Sequence, residues 1–282
     1  MKIAVFGKTG QVATELGRRG GDAVELIGRD RADFSNPDMV RAATRALDAD
    51  AIINAVAYTA VDKAESEPAL AMTVNATSVA ALAEAAAEKG VPVVQISTDY
   101  VFPGTGDAPW KPDDPTGPLG VYGATKLAGE QELIATGGTH AVLRTSWVFS
   151  AHGGNFVKTI LRLSKSLDTL RIVADQVGGP TPAADIADAC LEIARHLVDG
   201  APGGTYHFSG TDDVSWATFA EEIVRMANLG LPVTRISTAE FPTPAKRPMN
   251  SRLDCTSLET DFGVRRPEWR EGLAKVLKEL SV

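Results

Sequence analysis

The feature that most limits how this chain can fold is a rhythm. Short apolar runs alternate with helix-forming stretches from the N-terminus onward. Ile3 to Phe6 is apolar at every position and ends at Gly7. Such a run reads as a strand buried on both faces, as in a parallel sheet. A helix is predicted over residues 12–19, then strands in "AVELIG" and in "AIINAVA" from Ala51. An Ala-rich helix is expected over residues 69–89, with Gly90 as its stop. "VPVVQIS" is a fourth strand ending at Ser97, residues 99–120 read as loop and residues 122–135 as helix. "HAVLRTSWVF" is a fifth strand. Strands and helices in this order fold as a Rossmann-like, doubly wound parallel sheet of the α/β class.

After about Phe149 the rhythm loosens. "GGPTPAADIADACLEIARHLV" is loop then helix, "GTYHFSG" a short strand, and "SWATFAEEIVRMA" a helix with Ser215 as candidate N-cap. The tail carries Trp269, Leu273, Val276, Leu277 and Leu280 at helical spacing. These segments suggest a smaller C-terminal α/β lobe. The expected division is a dinucleotide-binding domain over residues 1–150 and a mainly substrate-binding lobe over 151–282, with segments free to cross between them.

Composition narrows the function. The 282 residues are 44% hydrophobic and 23% charged, enough for a substantial core. A net charge of -8, with no basic run, argues against a general nucleic-acid binder. Cys190 and Cys255 form no C-x-x-C, so neither a disulfide framework nor a zinc knuckle is expected, and a reducing cytosol fits. His140, His152, His196 and His207 show no ligand spacing, so no metal site is expected. The N-terminus lacks a signal peptide's apolar core, and no run of 18 apolar residues is read as a membrane span. A cytoplasmic protein without membrane partners is the expectation.

Three places carry chemistry. "GKTGQVA" follows the first strand directly. Gly7 and Gly10 would let the backbone approach a pyrophosphate at a helix N-terminus, while Ala13 stands where a third Gly often sits. An ordinary strand-to-helix turn would use the same glycines. At the end of the second strand, Arg29 and Asp30 are adjacent. An acid there suits a ribose and an Arg a 2′-phosphate, so the pair leaves NAD and NADP both open.

In "YGATK", Tyr122 and Lys126 lie one helical turn apart, on one face. A free phenol has a pKa of about 10, and a neighbouring ammonium favours the phenolate and should lower it. That pair is a proton donor with its tuning cation. Thr98, at the fourth strand's end, would be a second donor to a substrate oxygen, or simply a residue satisfying a turn. Trp147 in "RTSW" suits a substrate wall or plain core packing. Arg247 in "AKRPMNSR" suits a phosphate grip or a solvated loop.

Taken in order, Gly7-x-x-Gly10, "NAVAYTAVDKAE", "ISTDYVFPG" and "YGATK" resemble the extended short-chain dehydrogenase/reductase family. With "DFSNP", "LRTSWVF", "GGNFV" and "KRPMNSRL", the resemblance narrows to its dTDP-4-dehydrorhamnose reductase branch and spans about Ile3 to Leu253. It implies NADPH-dependent reduction of the C4 ketone of dTDP-4-dehydro-6-deoxy-L-mannose, with NADH as alternative donor. Thr98, Tyr122 and Lys126 would be the catalytic triad. Gly7, Gly10, Gln11, Val12, Asp30, Asp33, Phe34, Ala57, Tyr58 and Thr59 would meet the cofactor, beside Tyr122 and Lys126. Thr98, Asp99 and Trp147 would meet the sugar, and Asn155, Gln176, Arg247 and Asn250 the nucleotide half.

The resemblance also leaves rivals: another nucleotide-sugar 4-ketoreductase or epimerase, and a non-catalytic NADP-binding regulatory subunit. A dehydratase would carry a second acid after Asp99, where Tyr100 stands. Some relatives dimerise around a magnesium ion held by glutamates. Glu15 and Glu279 match two such positions, but Ala184 stands where a third acid is expected, with Asp185 beside it. Glu15 is therefore read as a solvated helix residue, and the protein as monomer or homodimer without a metal.

Overall fold

A computed structural model describes residues 1–282 in full. Strand β1, Ile3–Phe6, is buried at every position and lies inside a six-stranded sheet. It pairs with β2, Val24–Ile27, on one side and with β3, Ala51–Asn54, on the other. Beyond β3 come β4, Val93–Thr98, β5, His140–Thr145, and β6, Gly204–Phe208. The order is β2-β1-β3-β4-β5-β6, and every pairing is parallel.

Alternate side chains along β1 feed opposite layers. Ile3 and Val5 pack with Leu16 of helix Gln11–Gly20 and with Ile186 and Ile193 of helix Ala183–Val198. Ala4 and Phe6 pack with Val40 of helix Pro37–Ala46 and with Val79 and Leu82 of helix Ser78–Lys89. The period of two along a strand thus supplies both cores from four residues. Helices on both faces force β1 and β3 to diverge in their connections. Their carboxyl ends mark the crevice where such folds bind ligands.

Three expectations need correction. The Ala-rich helix is not continuous: Pro68–Met72 passes through a wide π turn, Thr73–Thr77, into Ser78–Lys89. The turn accommodates the buried Asn75, which accepts from Tyr58 N at 2.8 Å and donates to Tyr58 O and Thr125 Oγ1. π turns often mark functional sites. By length and composition alone, Pro68–Lys89 would also suit a bilayer span, but more than half of its most apolar window is buried inside the protein. Its apolar side packs between the 37–46 helix and helix Val121–Ala135.

The fifth strand stops at Thr145 instead of running to Phe149, because Trp147 takes a left-handed backbone (φ 49°). Val148–Phe149 then pairs with Thr181–Pro182. "GTYHFSG" does not lie in the second lobe. It is β6, alongside β5 in the main sheet. With helix Ala183–Val198 also packed on that sheet, the chain crosses between the two halves.

The remaining C-terminal elements build a second core. Leu170–Val173 pairs with Val233–Ile236, and Val177–Gly178 with both Val214–Ser215 and Asn250–Ser251. Phe149, Phe219, Ile223, Trp269 and Leu273 fill the space between helices Trp216–Met226 and Trp269–Glu279. Ser215 caps its helix as expected, accepting from Thr218 N at 3.1 Å.

Candidate active site

A cleft of about 960 Å³ opens at the carboxyl edge of the sheet, between the two cores. Thr98 ends β4 and Tyr122 and Lys126 begin the helix Val121–Ala135, so topology brings all three to its floor. Thr98 is 5% exposed and serves both of its readings. Its hydroxyl caps the turn at Asp99–Val101, accepting from Tyr100 N at 3.2 Å, and it lines the cleft. The same hydroxyl donates to Asp99 Oδ1 at 3.1 Å.

Lys126 is 3% exposed and donates from Nζ to the Ile96 carbonyl at 2.8 Å. Burial lowers its pKa to about 8, with Glu130, one turn on, opposing the shift. The expected lowering of the Tyr122 pKa is not found. Burial of the phenol pushes it above its ordinary value, Asp99 and Tyr100 add to the rise, and a hydrogen bond with Thr98 offsets part of it. Desolvation of the phenolate dominates, and the Lys126 ammonium is engaged by a backbone carbonyl instead. Asp99 is 3% exposed, its Oδ2 has no hydrogen-bond partner, and burial raises its pKa to about 6.

The glycine loop fits a pyrophosphate. Gly7 sits at φ 120° against Ala13 and Ala55, a conformation and a closeness that favour glycine. Gly10 is the N-cap of helix Gln11–Gly20, in extended backbone and with no side-chain cap. A Cβ on it would meet nothing within 4 Å. No acid occupies the first turn. The helix N-H groups are therefore open to an anion. Gly10, Gln11, Val12, Ala57 and Thr59 line the cleft with Tyr122 and Lys126.

Other candidates for the cofactor stand outside the cleft lining. Phe34 is a core residue. Tyr58 donates its hydroxyl to Glu67 at 2.6 Å. Asp33 accepts from Ser35 and from Arg29 Nε at 2.9 Å, and those hydrogen bonds hold its carboxyl below the usual range. Asp30 is exposed at the end of β2.

At the other end, Trp147, Asn155, Gln176 and Arg247 line the cleft with Thr98 and Asp99. Asn155 caps helix Phe156–Leu163 and donates to Gln11 Oε1 at 2.9 Å, which ties the second lobe to the glycine loop. Gln176 donates to Thr238. Arg247 donates to Asp62 Oδ2 at 2.7 Å, and its buried Nη1 is left without a partner. Asn250 corrects an expectation: it does not line the cleft. It is 1% exposed and donates to the Ala108 carbonyl at 2.8 Å, which pins the loop before Trp110.

Sequence reasoning missed several cleft residues. Thr145 faces Thr98 across the β4–β5 ladder, with an unpartnered buried hydroxyl. Trp216 and Phe241 come from distant segments. Beneath the floor, Arg144 pairs with Glu130 at 2.7 Å, both side chains nearly sealed from solvent, and Ser97 donates to the same carboxylate. An Arg inside the apolar "HAVLRTSW" was the available signal, since a buried charge demands a partner.

Glu15 is a second correction. It is 6% exposed and meets His152 Nε2 at 3.1 Å and Arg18 Nη1 at 3.4 Å. Arg18 also reaches Glu279 at 2.8 Å. Donors of Glu15, His152 and Glu279 lie within 4.8 Å of one another, with the Arg18 guanidinium already supplying positive charge among them.

The chain is similar to known proteins both in sequence and in fold. The protein-family model described as RmlD substrate binding domain matches residues 1–282. A dTDP-4-dehydrorhamnose reductase of Sinorhizobium fredii is 45% identical over 286 residues, covering 98% of this chain and 97% of its own. The crystal structure of a dTDP-4-dehydrorhamnose reductase from Clostridium acetobutylicum superposes with a TM-score of 0.93 at 37% identity, covering 100% of both chains. The enzyme of that name from Bacillus anthracis, solved in complex with NADP, gives 0.91 at 34% identity, covering 99% of this chain and 100% of its own.

Proposed function

The chain belongs to the RmlD substrate-binding-domain family of dTDP-4-dehydrorhamnose reductases, and we propose that it reduces the C4 ketone of dTDP-4-dehydro-6-deoxy-L-mannose to dTDP-L-rhamnose. NADPH, when bound, would supply the hydride, with NADH as the alternative donor. One observation carries the reading: Thr98, Tyr122 and Lys126 converge on one cleft beside an uncapped helix N-terminus. In this reading residues 1–150 chiefly hold the cofactor and residues 151–282 chiefly hold the sugar nucleotide.

The ketone oxygen gains negative charge as C4 is reduced, and Tyr122 gives it the phenolic proton. Thr98 turns its hydroxyl from Asp99 to the same oxygen. Lys126, one turn along, supplies the positive charge that steadies the phenolate left behind. A high phenol pKa suits this direction, because it keeps the proton on Tyr122 until the alkoxide forms. The helix N-terminus at Gly10 to Val12 would hold the cofactor pyrophosphate, with Ala57 and Thr59 lining the same cleft. Outside the cleft lining, Arg29, which donates to Asp33, would be the residue to take a 2′-phosphate, and Asp33 and Asp30 those to take the adenosine ribose. Trp147 and Asp99 meet the deoxysugar. The unpaired Arg247 Nη1 takes a diphosphate oxygen, with Gln176 and Asn155 beside it.

The test is oxidation of NADPH with freshly made dTDP-4-dehydro-L-rhamnose, followed by identification of the product sugar. Tyr122→Phe is expected to lower turnover by about 100- to 10,000-fold, the usual worth of a positioned proton donor, and to leave NADPH affinity in place. A talose-type product would overturn the assigned stereochemistry. Wild-type turnover in Tyr122→Phe would overturn the mechanism.

A further inference from the structure

We infer that Trp216 is a positioning residue for the sugar-facing wall of the cleft: its ring stacks on Trp147 while the Gly178 backbone crowds the same indole. The inference rests on the reading that Trp147 meets the sugar.

Trp147 holds an unfavourable conformation. Its φ of 49° lies in the left-handed region, which a residue with a Cβ rarely adopts. Its neighbours in sequence do not explain why it stays there. The explanation lies in two jaws. On one face the Trp216 ring stacks at a centroid distance of 3.6 Å and an interplanar angle of 11°. That is near-complete overlap, tighter than the offset arrangement that aromatic pairs prefer, so the rings are held by their surroundings. At the indole's Cε2–Nε1 edge, a Cβ added to Gly178 would lie 3.0 Å from Trp147 Cε2 and 3.1 Å from Nε1, and 2.9 Å from Ser251 Cβ. The indole occupies the space a side chain would need.

Both jaws come from one piece of structure. Val214 pairs with Gly178 and Ser215 with Val177 in an antiparallel ladder, and Trp216 follows directly. Ser215 caps the helix that Trp216 begins, which fixes where the ring leaves the backbone. Phe156, at 4.6 Å, and the fully buried Phe219, at 6.3 Å, stand around the Trp216 ring and bar its retreat. The wall beside the Thr98–Tyr122 floor is therefore set by the C-terminal lobe through a two-indole stack.

The stack carries its own signature. The chain has four Trp, and Trp147–Trp216 is the one indole-on-indole pair. Stacked indoles couple their transitions and give a far-UV circular-dichroism couplet. We expect Trp147→Phe and Trp216→Leu to abolish it. Affinities for dTDP and for dTDP-L-rhamnose, measured by calorimetry with NADP present, separate the sugar's contribution. Trp216→Leu should weaken dTDP-L-rhamnose binding roughly tenfold, the most that one stacked aromatic pair is worth, and leave dTDP and NADP affinities within about twofold, inside additivity error.

Gly178→Ala attacks the other jaw and should give the same selective loss. Trp216→Phe keeps a smaller ring in place and should fall between. Variants that lose the couplet yet keep the full sugar contribution would overturn the clamp while the reductase reading stands. Equal losses for dTDP and dTDP-L-rhamnose in Trp216→Phe would overturn it too, by making the role general to the lobe. A wild-type protein that neither turns over the 4-keto sugar nor gains affinity from rhamnose would remove the reductase reading first, and this inference with it.

Discussion

Thr98 donates its hydroxyl proton to Asp99 Oδ1 across 3.1 Å, on the floor of the cleft. The two side chains are a coupled device. Asp99 is buried, with one carboxylate oxygen unpartnered and its pKa raised to about 6. An unfolded Asp ionises near 3.9. Between roughly pH 4 and pH 6 the unfolded chain releases a proton that the folded chain keeps. Stability therefore falls as pH rises through that window and stays low above it.

Asp99→Asn removes that cost. We expect the variant to gain at most about 3 kcal/mol at pH 8, two pKa units at 1.36 kcal/mol each, and no charge-related gain at pH 4. Its kcat/KM should fall about 10- to 100-fold, the worth of a hydrogen bond to a charged group. Denaturant unfolding at the two pH values, alongside turnover, checks both. Equal stability gains at pH 4 and pH 8 would remove the buried charge as the cause.

Lys126 sets the alkaline limit. Reduction in the proposed mechanism needs its ammonium, and burial lowers its pKa to about 8. The folded value lies below the unfolded one, so the neutral amine is favoured in the native protein and activity falls as pH passes through about 8. Lys126→Arg holds its charge and should flatten that limb, at a lower overall rate. Glu130→Gln removes the charge that opposes the shift, so its limb should move to lower pH. Identical pH–rate profiles for wild type and Lys126→Arg would detach the limb from this residue.

The Glu130–Arg144 pair is the anchor under the site. It ties the Tyr122 helix to β5, with Ser97 of β4 on the same carboxylate. Arg144 also lies over the Phe102 ring at 5.0 Å. Removing one partner leaves a buried charge uncompensated. Arg144→Met should cost about 3–5 kcal/mol, whereas the Glu130→Gln/Arg144→Met double variant should recover a good part of that loss. Unfolding midpoints of the two singles and the double decide it, and simple additivity would mean the pair is not coupled.

How far the sequence could be read depended on range. Ile3–Phe6 and Ala51–Ile53 are apolar at every position, and runs like these, alternating with helices, suit a parallel sheet buried on both faces, so the sheet was legible. Tyr122 and Lys126 share a helix turn, and Gly7 and Gly10 bracket one loop, so local spacing placed the floor of the site. What lay hidden was set by distance or by desolvation. The edge that "GTYHFSG" joins, the approach of His152 to Glu15 and the jaws on Trp147 all depend on segments far apart. Asn250 sits in a polar stretch that reads as cleft, but its amide is needed to hold the Thr105–Ala108 carbonyls. The Tyr122 phenol showed its charged neighbour in sequence, while the stronger effect, burial, needs three dimensions.

Gly123 gives the most direct probe of the site's assembly. An added Cβ would lie 2.1 Å from the Tyr100 carbonyl oxygen and 2.9 Å from its carbon. Those are backbone atoms of the turn that follows Thr98, so neither side can yield by a rotamer change. Gly to Ala inside a helix ordinarily stabilises by up to about 1 kcal/mol. Here the helix must back away from the turn, which carries Tyr122 away from Thr98. We expect Gly123→Ala to destabilise by about 1–3 kcal/mol, as overpacking does. A displacement of about 1 Å should lower kcat on the order of 100-fold, with NADPH affinity much less affected, since the Gly10 loop and its helix follow β1 and are not part of the Tyr122 helix. Thermal unfolding, turnover and cofactor titration on one preparation separate these effects. A variant as stable and as fast as wild type would mean that the Tyr122 helix is not pressed against the Tyr100 carbonyl, and that the packing between them does not set the distance from phenol to Thr98.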